Sequence, residues 1–147
     1  MKRLHVSIAA EDFAGSVGFY TTLFGTGPTT ERPGYAKWFL DDPRVNFVIN
    51  EAAANRGVRH LGIQVDSDDE LDEVAARLKS AEQPLLEQTQ AHCCYHVSDK
   101  AWAQDPQGLT WETFHTTGEI PVAEADEQTE PAPSACQDTA CCPGAAP

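Results

Sequence analysis

Along the first 117 residues the period of the apolar side chains changes in a fixed order, and then the order repeats. LHVSI (4–8) alternates apolar and polar positions, the period of a strand with one face turned to a core. From Phe13 the period lengthens: Phe13, Val17, Tyr20 and Phe24 recur at helical spacing, and Gly25 follows as a C-terminal stop. The strand-like run YAKWFLDDPRVNFVIN (35–50) comes next and is predicted to turn at Asp42-Pro43.

In the second half, RHLGIQVDSDDELDEVAARLKSA (59–81) restates strand and helix, with Ser67 and Glu70 as an S-x-x-E capping box ahead of Leu71, Val74 and Leu78. CYHVSDKAWAQDPQGLTWETFH (94–115) then supplies strands around a turn at Asp105-Pro106-Gln107-Gly108. Each half reads β-α-β-β-β, and His5 and His60 hold the same place in their halves. The predicted fold is α+β: two βαβββ modules, about 1–55 and 58–117 of a 1–117 domain, making one curved mixed sheet around a cleft.

Residues 118–147 break the pattern. They are rich in Pro, Ala and acid and have almost nothing to bury, so a disordered tail is expected there. Charge follows the same division. All ten Lys and Arg lie at or before Lys100, while six acids and no base follow Gly118. A net charge of −13 repels nucleic acid and anionic membranes, so neither is an expected partner. The start MKRLHVSIAAEDF lacks the apolar run of a signal peptide, no stretch is long and apolar enough for a membrane helix, and five cysteines cannot all pair. A reducing cytoplasm is expected, with free thiols.

Alternation along the first strands puts His5 and Ser7 opposite Val6 and Ile8, and His60, Gly62 and Gln64 opposite Leu61, Ile63 and Val65. Both histidines therefore belong to the polar face, which should line the cleft. Glu112 stands between Trp111 and Thr113 in a largely apolar strand, and a buried carboxylate is costly unless it is paired or ligates a metal. Two histidines and one carboxylate suit Fe(II) with open positions, and equally a His₂Glu zinc. The first-half counterpart of Glu112 falls near Phe47 or Val48, neither a ligand, so coordination is left open. His92, His96 and His115 are the remaining histidines, with solvated positions the default for His96 and His115.

AHCCYH (91–96) sets Cys93 beside Cys94. A disulfide between sequence neighbours closes a cramped ring around one peptide bond, so a structural staple is not expected. On residue chemistry alone, a two-thiol clamp for a soft atom and a buried Cys93 with an incidental Cys94 stand level. A clamp requires a loop or bulge, because neighbours on a regular strand point to opposite faces. The tail carries Cys136, Cys141 and Cys142, which could capture a soft ion or bind one only adventitiously.

Taken together, LHVSI, FYTTLFG, YAKWFLDDPRVNFVI, HLGIQV, CCY, SDKAWAQDPQG and WETFH resemble the ArsI-type C–As lyases and the related cadmium-induced proteins of the vicinal-oxygen-chelate (glyoxalase/bleomycin resistance/extradiol dioxygenase) superfamily. The resemblance spans residues 1–117 and implies the fold of paired βαβββ modules around a metal. It implies a non-haem Fe(II)-dependent dioxygenase that cleaves the carbon–arsenic bond of trivalent organoarsenicals, with molecular oxygen as co-substrate. It also implies His5, His60 and Glu112 as iron ligands and Cys93 and Cys94 as arsenic ligands. A small-molecule organoarsenical is then the partner, for a monomer or homodimer. The competing expectations are a soft-metal-sequestering protein of the cadmium-induced kind, a bleomycin-resistance-like binder and another dioxygenase on the same fold.

Overall fold

The computed structural model of the chain describes residues 1–54, 56–93 and 96–119. Its elements run β1 (Arg3–Ala10), α1 (Phe13–Phe24), β2 (Thr30–Arg32), β3 (Tyr35–Asp41), β4 (Arg44–Glu51), β5 (Gly57–Val65), α2 (Asp68–Ser80), β6 (Leu86–Cys93), β7 (His96–Gln104) and β8 (Thr110–Glu119). Among the described residues the β-α-β-β-β order therefore occurs twice, in eight strands of mixed direction and two helices. The expected tail, with Cys136, Cys141 and Cys142, lies outside the described residues apart from its first two positions. No helix among the described residues is long and apolar enough to cross a membrane.

Among the described residues, contacts form two compact units, one within Arg3–Ile63 and one within Gln64–Pro147 together with Met1–Lys2. In the first, β1 pairs in parallel with β4, and β4, β3 and β2 follow as antiparallel neighbours. The helical residues picked out by spacing, Phe13, Val17, Tyr20 and Phe24, pack on a core of Ala36, Trp38, Phe47 and Ile49. Tyr20 and Phe47 meet with ring centroids 4.4 Å apart, and Phe24 stands edge-on to Phe47 at 5.3 Å, the tilted contacts that aromatic quadrupoles favour. Trp38 is fully buried, and its indole Nε1 donates to the Thr26 carbonyl at 3.0 Å, which satisfies the one polar atom a buried tryptophan brings. Gly25 ends α1 with φ 69°, left-handed backbone that suits glycine. The Asp42-Pro43 turn forms as expected, through a cis peptide bond.

In the second unit α2 lies against β7 and β8 and buries Leu71, Val74 and Ala75. Ser67 caps it, accepting from the Glu70 amide at 3.3 Å. The Glu70 carboxylate reaches one residue further back than a capping box requires and accepts from the Asp66 amide at 3.0 Å. This bond, more than the nearby charges of the N-terminus and Lys2, holds the Glu70 carboxyl below the usual range. β7 and β8 form a long antiparallel hairpin closed at the expected Asp105 turn. There Asp105 Oδ1 accepts from the amides of Gln107 at 2.8 Å and Leu109 at 2.9 Å, and Gly108 takes φ 82°.

Candidate metal and substrate site

Both faces of β1 fall as alternation requires. Val6 and Ile8 pack toward the apolar core of the first unit, while Arg3, His5 and Ser7 on the other face are buried polar side chains. On β5, His60 is likewise buried. The two imidazoles tilt against each other with centroids 5.2 Å apart, and their Nε2 atoms are 3.2 Å apart. His5 Nδ1 lies 3.0 Å from the backbone carbonyl of Asn46, opposite it across the β1–β4 ladder.

That carbonyl fixes the tautomer. An oxygen acceptor at Nδ1 requires the proton there, so neutral His5 presents a lone pair at Nε2. A nitrogen at 3.2 Å facing that lone pair needs something positive between them, either the His60 proton or a cation. Two imidazole nitrogens bound at about 2.0–2.1 Å to one ion, between a right angle and a tetrahedral angle apart, are about 2.9–3.4 Å from each other. The observed pair fits that spacing, and the Asn46 carbonyl is the kind of outer partner that orients a ligating histidine.

Glu112, on β8, is 4% exposed, and Lys100 on β7 donates to its Oε1 at 2.7 Å. His5, His60 and Glu112 are each buried and each can offer a metal one ligand atom. Lys100 is the residue that sequence reasoning missed. A basic residue in a strand reads as solvent-facing, and only the β7–β8 register brings it to Glu112. That register also corrects the repeat. With the Asp-Pro turns superposed, Glu112 opposite Trp102 corresponds to Asn46 opposite Phe39, not to Phe47 or Val48. The matching position therefore holds a buried amide rather than an apolar side chain.

The other histidines stand apart from this chemistry. His92 is exposed, His96 is half-buried, and His115 Nδ1 lies 2.8 Å from Asp68. Cys93 closes β6 opposite His96, which opens β7, and Cys94 lies outside the described residues.

Residues 2–113 match the model of the Glyoxalase/Bleomycin resistance protein/Dioxygenase superfamily. The chain belongs to that superfamily. A trivalent organoarsenical cleaving enzyme of Thermomonospora curvata is 35% identical over 97% of this chain and 89% of its own. A second protein of that name, from a Bacillus species (strain MD1), is 40% identical over 79% of this chain and 74% of its own. The cadmium-induced protein CadI of Mycobacterium bovis is 30% identical over 78% and 76%. Among solved structures, the superfamily fold recurs in the Mn(II)-bound glyoxalase of Novosphingobium aromaticivorans, with TM-score 0.59, 17% identity and coverage of 82% of this chain and 42% of that one. Homoprotocatechuate 2,3-dioxygenase of Arthrobacter globiformis gives TM-score 0.58, 20% identity and coverage of 84% and 38%.

Proposed function

We propose that this superfamily member is a metal-dependent C–As lyase that removes the organic group of trivalent organoarsenicals, such as methylarsenite and reduced aromatic arsenicals, and releases arsenite. His5, His60 and Glu112 would hold Fe(II), molecular oxygen would be the co-substrate, and Cys93 and Cys94 would hold the arsenic. The observation that carries the reading is the buried pair of Nε2 atoms at 3.2 Å with the His5 tautomer set by Asn46. The names of relatives at 35% and 40% identity support the substrate class. A His₂Glu donor set suits Fe(II), which when bound supplies the one-electron chemistry that lets oxygen react with an organic group.

The remaining roles belong to side chains of the chain. Trivalent arsenic is soft, and a mono-organo arsenical has two bonds to give to sulfur. Adjacent thiols of ordinary pKa near 8.5 lose their protons at a cost of roughly 2 kcal/mol each at pH 7, small beside a strong soft bond. Held at two points, the arsenic keeps its carbon substituent in one direction, and catalysis by positioning becomes available. The Asn46 carbonyl keeps the His5 proton on Nδ1 and so keeps Nε2 basic. Thiols that stay reduced are in keeping with a cytoplasmic setting.

The test is to load the apoprotein with Fe(II) anaerobically, admit oxygen and methylarsenite, and separate the arsenic species by chromatography. Arsenite should form in the wild type. His60→Ala should lose bound iron and turnover together, whereas Cys93→Ser and Cys94→Ser should keep iron and lose most cleavage. Iron and methylarsenite bound without arsenite release would favour sequestration, the reading that the likeness to a cadmium-induced protein suggests.

A further inference from the structure

We propose that Lys100 is the positioning residue of Glu112: its ammonium holds one carboxylate oxygen and so fixes the direction in which Glu112 presents itself to a divalent cation. This role rests on the reading of Glu112 as a metal ligand.

The lysine is located from several sides. Its Nζ is 2.7 Å from Glu112 Oε1, within the range of charge-assisted hydrogen bonds. The same nitrogen is 5.6 Å from the centroid of the Trp102 ring and 5.9 Å from that of Phe114, both within cation–π reach. The ladder explains why these four side chains meet. Lys100 is opposite Phe114 and Trp102 is opposite Glu112, so all four share one face, with the ion pair on the diagonal. Trp102 is itself tied, its Nε1 donating to Gln88 Oε1 at 2.9 Å.

Stability does not account for this arrangement. Lys100 is 8% and Glu112 4% exposed, and replacing a buried ion pair with well-packed apolar side chains is often neutral or stabilising. The first hairpin shows the same ladder built without the acid. With the turns superposed, Lys37, Phe39 and Asn46 stand where the second hairpin has Lys100, Trp102 and Glu112. Lys37 Nζ lies 5.5 Å from the Phe39 ring, close to the Lys100–Trp102 separation. A lysine beside an aromatic ring two residues on is thus common to both hairpins, and a neutral amide suffices opposite it for the strands to pair. The carboxylate is particular to the second hairpin, and there the lysine is bonded to it. A carboxylate that must stay oriented gives the pair a purpose that packing does not. A carboxylate also has two oxygens, so a bond from Lys100 to Oε1 is compatible with ligation.

The experiment is an anaerobic titration of the full-length apoprotein with Co(II), followed by visible absorption and calorimetry, which report binding without turnover. Lys100→Met keeps an apolar stem between the two rings and removes the donor. Its Kd for Co(II) should rise about 10–100-fold, the usual cost of losing an outer partner of a metal ligand, with cooperative thermal unfolding of the apoprotein retained. Lys100→Arg keeps a cation with N–H donors and should recover most of the affinity. In a Glu112→Ala background Lys100→Met should cost nothing further, because it acts through the carboxylate. Wild-type Co(II) affinity in Lys100→Met, or a loss that persists undiminished in the Glu112→Ala background, would overturn the positioning role. Should Lys100→Met fail to fold, Lys100→Leu against Lys100→Arg decides by the same criteria. Wild-type affinity in Glu112→Ala alone would instead overturn the ligand reading, so the two failures are distinct.

Discussion

Arg3 is a buried guanidinium at the start of β1, and its partners make that tolerable. It donates to the Leu40 carbonyl and, at 2.7 Å, to Asp41 Oδ1, and it lies 3.8 Å above the centroid of Phe39. The hydrogen bond from Arg3, then its charge, holds the Asp41 carboxyl below the usual carboxylate range. A carboxyl depressed on folding contributes stability that is present above its unfolded pKa and is lost as pH falls through the folded value. Asp41→Asn should therefore lower the urea midpoint at pH 7, and the difference from wild type should shrink as pH drops below the carboxylate range. A gap that widens on acidification would contradict this. Residues also differ in how openly the sequence displays them. His5 and His60 are legible because alternation assigns each a face from its immediate neighbours. Lys100 is not, because its surroundings come from a partner strand twelve residues away in sequence.

At the level of elements, local spacing reads well where one helix meets one core, and poorly where a contact depends on register. Phe13, Val17, Tyr20 and Phe24 are spaced for a single face of α1, and that face packs on Trp38 and Phe47. The correspondence of Glu112 with Phe47 or Val48 failed because the second turn, residues 105–109 between paired Gln104 and Thr110, is three residues longer than Asp42-Pro43 between paired Asp41 and Arg44. A shift of one position moves a side chain to the other face of a strand. The α2 cap lies between these cases: Ser67 acts as read, while Glu70 bonds to Asp66 instead of to the cap residue. Ser67→Ala removes an acceptor from an amide at the first turn, where intrahelical partners are lacking, and should cost about 1 kcal/mol. Chemical denaturation should show it as a lower midpoint at unchanged slope. Ser67→Asp, an equally good cap, should restore the midpoint.

For the whole molecule, the question is how much of the chain folding needs. Each described unit has its own buried side chains: Trp38, Phe47 and Ile49 in the first, and Leu71, Val74, Trp102 and Phe114 in the second. Beyond Glu119 the sequence offers Ile120 and Val122 as its only branched aliphatic residues, against many Pro, Ala and acidic positions. Ordering a residue costs on the order of 1–2 kcal/mol of backbone entropy, so a segment of this composition is expected to add little to the stability of the fold. The same segment holds five acids and no base, so a chain ending at Glu119 carries −8 in place of −13. Lower net charge reduces self-repulsion and slightly favours the compact state. A 1–119 protein should therefore melt within the roughly 4 °C that 1 kcal/mol produces in a domain of this size, or slightly higher. On the proposed function it should also match the full chain in arsenite release from methylarsenite in vitro, because the proposed ligands all precede the cut. The comparison is calorimetry and arsenite release on the two proteins side by side. Aggregation or a fall in melting temperature well beyond that margin would show that residues 120–147 contribute to the fold. An intact melt with lost turnover would instead assign Cys136, Cys141 or Cys142 a part in presenting the substrate.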